Sequence, residues 1–163
     1  MTITEIMIYY IVKIVSGVEH LSVPRCIKVI YLLDWYSAFM YQRQSGRKWF
    51  HGLCGPKEAS MESLLSAPSR YYEIRQMDNH LGGVKDVIFC KEVCDVPKIT
   101  PNDLAIISYV ASIVRGMPWS DLIRLVSSTY PMLKSLPGEY IDLKTLATEY
   151  SKRIKCNDNG GVK

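Results

Sequence analysis

The amino-acid sequence predicts a mainly α fold, a single helical domain carrying a small antiparallel β-hairpin insertion. Three observations predict it. Val23 to Tyr41 is apolar on nearly every side, with Lys28, Asp34 and Ser37 as its few polar positions, which is how a helix surrounded by neighbours reads. Leu104 to Val114 and Leu122 to Val126 carry apolar residues at helical spacing. Ahead of them, Tyr71 to Met77 and Val84 to Cys90 flank a run of turn-forming residues, the pattern of a hairpin. With 163 residues, 48% of them hydrophobic, the chain has the size of one domain and enough apolar material to bury a core.

Thr2 or Thr4 can cap a first helix running to about Val15, because a threonine oxygen accepts from an unpaired first-turn amide, and Gly17 ends it. This stretch is too short to span about 30 Å of hydrocarbon and carries Glu5 and Lys13, so it reads as a buried helix rather than a membrane span. Ser22 caps the central helix and Pro24 sits in its first turn, where the missing N–H costs nothing. From Gln42 the periodicity stops. Gln44 to Lys48 form a polar turn and Trp49 to Pro56 a short extended segment, with Gly55 and Pro56 leading into an amphipathic helix from Lys57 to Leu65.

Pro68 and Ser69 break that helix, and the hairpin follows; an isolated hairpin is marginal in water, so it should lie against the helices. Thr100, Pro101 and Asp103 give the clearest helix start: a capping residue, a first-turn proline and an acid three residues on. Pro118 to Asp121 start the next helix, which Tyr130 and Pro131 end, and Pro137 and Gly138 separate a last one over roughly Asp142 to Ile154. Residues 1 to 155 thus read as one domain and 156 to 163 as a flexible tail.

Composition narrows the functional classes. A formal charge of +4 falls short of the clustered basic stripe of a dedicated nucleic-acid binder. Five cysteines, an odd number with no recognisable signal peptide ahead of them, read as reduced thiols of a cytoplasmic protein. Cys90, Cys94 and His80 lack the second close pair that a zinc site needs, so neither metal nor cofactor is expected. His51 and Cys54 suggest a base and a nucleophile, but residues three apart in an extended segment face opposite ways and nothing orients the histidine. With no phosphate-binding glycine loop or nucleophile elbow either, an enzyme is not expected.

Arg43, Arg47 and Lys48 beside Tyr41 and Trp49 form a basic, aromatic cluster able to hold a phosphate backbone, although a solvated turn is the commoner meaning. Lys152, Arg153 and Lys155 suit the C-terminal end of a helix dipole. Asp34 is the most informative residue. Either it pairs with Arg25, Lys28 or a backbone amide and holds helices in register, or it is a partly buried polar spot that recognises a partner.

Three segments together resemble the Panacea domain family, the SocA-like antitoxin domain also found in phage-associated proteins. Arg25 to Tyr36 resembles its second-helix pattern of a lysine, an aliphatic pair, an aromatic and an aspartate. Trp49 to Pro56 resembles the segment ending in glycine and proline, and Ile99 to Pro131 the closing helices, through Trp119, Asp121, Leu122, Leu125, Thr129 and Pro131. The chain departs from the pattern where Ser127 or Ser128 replaces a histidine and Cys54 an aromatic. The resemblance implies a cytoplasmic antitoxin that neutralises a cognate toxin by direct binding, some relatives acting as adaptors that deliver the toxin to a protease. The partner-binding residues expected at or beneath the binding surface are Asp34, Trp35, Trp49 and Pro56; if Trp35 or Trp49 is an anchor, its alanine variant should fold but bind at least about tenfold more weakly. The alternative is a phage-derived or host nucleic-acid-binding regulator using the Arg43 to Lys48 turn and the basic last helix.

Overall fold

The computed structural model describes residues 5–16, 20–79 and 82–159. Thr2, Thr4, Gly17 and His80, the expected caps, helix stop and metal-ligand candidate, lie outside them. In chain order the elements are α1 (Glu5–Ser16), β1 (His20–Ser22), α2 (Val23–Tyr41), β2 (Trp49–Gly52), β3 (Gly55–Glu58), α3 (Met61–Ser66), β4 (Tyr72–Asp78), β5 (Val84–Cys90), α4 (Pro101–Val114), α5 (Trp119–Ser127), α6 (Tyr130–Lys134), β6 (Tyr140–Ile141) and α7 (Leu143–Asn159).

The expectation of a mainly α fold with one hairpin is overturned. Helix accounts for 54% and strand for 18%, and the strands form two three-stranded antiparallel sheets, so the fold is α+β. One sheet has the order β1-β5-β4 and contains the expected hairpin; the other has the order β3-β2-β6. The second sheet escaped sequence reading because its strands are short and drawn from distant segments. β6 has two residues, and β3 takes Gly55–Glu58, where the start of a helix was expected. Pairing of Trp49 with Glu58 and Phe50 with Lys57 outweighs the local helical pattern there, and the helix shrinks to α3.

α2 is the hub. It packs against α1, α4, α5 and α7 and touches both sheets, and Val29, Ile30, Tyr31, Leu32 and Leu33 are all buried in it. Burial of five consecutive residues explains the lack of a polar face. The helix stops at Gln42, a left-handed residue with φ 52°, and Gly46, at φ 78°, turns the chain back along it. Thr100 caps α4 by accepting from the Asp103 amide at 3.2 Å. Pro131, expected to end a helix, sits instead in the first turn of α6, while α7 runs past Cys156 to Asn159. Among the described residues no helix is long and apolar enough to cross a membrane.

Candidate functional site

Asp34 lies in the middle of α2 and is buried. Its carboxylate is bound from three directions. Arg47 donates from Nε to Oδ2 at 2.7 Å and from Nη2 to Oδ1, and Trp49 donates from Nε1 to Oδ2 at 2.8 Å. A two-pronged guanidinium contact plus an indole N–H satisfies a charge that would otherwise be costly to bury. The sequence pointed to a paired acid but named Arg25 and Lys28; the turn at Gly46 delivers Arg47 instead. Arg43 of the same turn pairs with Asp103 at 3.1 Å, so both arginines of the basic cluster hold acids.

Trp49 is fully buried and meets Tyr31 edge to face, with centroids 5.3 Å apart. The Tyr31 hydroxyl is 2.8 Å from Thr129 Oγ1, which itself donates to the Val126 carbonyl at 2.7 Å, so Tyr31 donates and Thr129 accepts. Burial pushes the Tyr31 hydroxyl well above the usual tyrosine range. Trp35, also buried, packs on Phe39 and Tyr150, and Tyr150 stacks on Tyr130 at 4.9 Å. Arg153, one of the basic residues of the last helix, lies over the Tyr130 ring at 5.7 Å. These contacts fasten α7 to α2.

Pro56 is buried in β3, an edge strand of its sheet. Lys28 Nζ donates to the Pro56 carbonyl at 2.7 Å, and burial lowers the Lys28 pKa while Cys54 raises it. Gly55, at φ +90°, brings its backbone so close that a Cβ would stand 3.3 Å from Val126 Cγ2 and 3.6 Å from Lys28 Nζ. Glycine is what permits β3 to settle against α2 and α5.

Beside this contact an open groove of about 730 Å³ runs between β3, the start of α2 and the β4–β5 hairpin. Its apolar lining includes Ile27, Leu53, Ile74, Val84 and Trp119. Leu53, at the tip of the β2–β3 turn, is 98% exposed, and Val84 and Trp119 are exposed as well. Of the four residues singled out from the sequence, Pro56 lines this groove, whereas Asp34, Trp35 and Trp49 are buried and do not; Leu53 and Trp119 stand exposed on it. Leu53 carries no distinguishing sequence signal: only the hairpin that was not foreseen puts it at a tip.

His51 Nδ1 lies 3.0 Å from the Ser135 carbonyl and from Ser135 Oγ. A carbonyl only accepts, so Nδ1 carries the proton and donates. Cys54 occupies the exposed β2–β3 turn rather than an extended segment. Cys90 Sγ is directed to the Tyr9 carbonyl at 3.8 Å, and Cys94 is exposed beyond β5. Among the described residues no three His, Cys, Asp or Glu side chains are grouped to hold a metal ion.

In comparisons with models of protein families, with curated proteins and with solved structures, nothing matches this chain.

Proposed function

We propose that the protein is a cytoplasmic antitoxin that neutralises a toxin protein by direct binding and catalyses no reaction itself. The observation that carries this reading is the groove flanked by exposed Leu53, Val84 and Trp119, apolar side chains that gain by being covered. Its wall is tied to α2 twice, by Lys28 to Pro56 and by the Asp34–Arg47–Trp49 contact to β2. In this reading Pro56 lines the groove and Asp34 and Trp49 support it by holding β2, while Trp35 packs on Phe39 and Tyr150 and acts only through the fold. The order of the three segments that resemble the Panacea domain supports the same function. The nucleic-acid-regulator alternative is weaker, since Arg43 and Arg47 are held by Asp103 and Asp34.

The test is co-expression with the adjacent open reading frame. The neighbour alone is expected to arrest growth, and this chain to restore growth and co-purify with it. A harmless neighbour, or one that does not bind, removes the proposal. Toxin half-life then separates the two routes: direct blocking leaves it unchanged, and delivery to a protease shortens it.

A further inference from the structure

Among the described residues β4 is an edge strand whose one sheet partner is β5. The Lys91 amide donates to the Tyr71 carbonyl at 2.9 Å and the Asn79 amide to the Gly83 carbonyl at 2.7 Å, bracketing the β4–β5 ladder. With Tyr72 opposite Cys90, the odd-numbered residues of β4 exchange hydrogen bonds with β5. The N–H and C=O groups of Ile74, Gln76 and Asp78 therefore point away from the sheet. Arg75, Gln76, Met77 and Asp78 are exposed, so this half of the strand stands clear of the protein body.

The two sheets treat their edges differently. On β3, Pro56 has no N–H and its carbonyl is taken by Lys28, which closes that edge to pairing. β4 has no proline, and its partnership with β5 runs through seven consecutive residue pairs without a bulge. Its edge is regular throughout and its residues are exposed from Arg75 to Asp78.

We propose that this edge binds a second copy of the chain, strand to strand and antiparallel, about a twofold axis through Ile74. The charge pattern selects both the occupant and the register. In this alignment Glu73 stands opposite Arg75 of the second copy, and Arg75 opposite its Glu73. Both lie at positions that do not exchange hydrogen bonds across the new seam, where facing side chains come closest. Glu73 and Arg75 already form an ion pair along the strand, so the twofold produces a square of four alternating charges. Ile74 meets Ile74, and Tyr72, whose side chain is buried in its own chain, pairs with Gln76 through the backbone alone. In the two residues that precede the strand, Tyr71 meets Met77 and Arg70 meets Asp78. Moving the axis to Arg75 would set that arginine against itself, and moving it to Gln76 would set Ile74 against Asp78. The self-complementary sequence of β4 identifies a copy of the same chain as its partner. This inference does not depend on the antitoxin reading, because it rests on the outward backbone groups and charges of β4, whereas that reading rests on the groove that the Ile74 side chain helps to line.

The experiment is sedimentation velocity on the full chain from about 1 to about 200 µM, a range that covers weak and moderate dimers. A concentration-dependent dimer is expected. Gln76→Pro removes only an outward-facing N–H, so it should give a folded monomer, with folding checked by circular dichroism. Arg75→Glu should weaken the dimer by at least about tenfold, since it places like charges across the seam. The swapped double variant Glu73→Arg/Arg75→Glu should restore it. A wild-type chain that remains monomeric at the highest concentration overturns the proposal, as does a dimer untouched by Gln76→Pro or one that the swap fails to restore. If the wild type is monomeric and its Ile74 and Gln76 amides become protected from hydrogen exchange only when the neighbour-encoded protein is added, the edge belongs to that protein instead.

Discussion

Arg47 holds Asp34 with two of its nitrogens, across thirteen residues of chain that include the end of α2 and a glycine turn. Trp49 donates to the same carboxylate, so one acid fixes both the turn and the strand that follows it. Sheet β3-β2-β6 is therefore built on a buried ion pair.

Breaking that pair from one side should be severe. Arg47→Ala is expected to cost about 3–5 kcal/mol in urea unfolding, because it leaves a buried carboxylate with the indole N–H alone. Trp49→Phe, which keeps most of the packing, should cost about 1.5–3 kcal/mol for the lost bond to a charged acceptor. A loss under about 1 kcal/mol for Arg47→Ala would mean that the pair is solvated.

Truncating either tryptophan should damage the fold before it damages binding. Trp35 and Trp49 are 4% and 0% exposed, so alanine at either position is expected to cost about 3–5 kcal/mol through the cavity it leaves. Leu53→Asp is the cleaner probe of the groove. It should change stability by no more than about 0.5 kcal/mol. Its expected effect on toxin binding is at least tenfold, about 1.4 kcal/mol by titration calorimetry. Unchanged toxin affinity would move the interface away from the groove.

Two glycine substitutions separate backbone strain from crowding. Gly46→Ala places a side chain at φ +78° with nothing within 4 Å, so it should cost only the strain of a left-handed residue, about 1 kcal/mol. Gly55→Ala adds the approach to Val126 Cγ2 at 3.3 Å and should be clearly worse. Equal thermal shifts for the two variants would show that β3 gives way without cost.

Thiol chemistry should sort the cysteines by depth. Cys54, Cys94 and Cys156 are exposed and should react rapidly with a disulfide reagent under native conditions, whereas Cys26 should react only on unfolding. Burial, with Cys90 nearby, pushes the Cys26 thiol up from 9.0 to about 12. The unfolded chain therefore loses this proton first as pH rises. Cys26 contributes stability that is fully present below pH 9 and is lost as pH climbs toward 12. Cys26→Ala should flatten that part of the stability curve; an unchanged slope would assign it to other groups.

The sequence by itself determined the elements whose signals are local and long. α2 matches the apolar run from Val23 to Tyr41, β4 and β5 lie where alternating segments flank a turn, and the Thr100–Pro101 start of α4 is spelled out in three residues. It also marked Asp34 as an acid in need of a partner. Only the tertiary structure decided which partner, because Arg47 reaches it through the left-handed Gln42 and the turn at Gly46, and although the polar residues from Gln44 to Lys48 mark a turn, its direction is not encoded by spacing. The second sheet was decided the same way. A two-residue β6 and a four-residue β3 that begins Gly-Pro have too few residues to show a period, and they become strands because buried Trp49 holds β2 between them. Strand pairing is a contact between distant residues, and its free energy is absent from either segment taken alone.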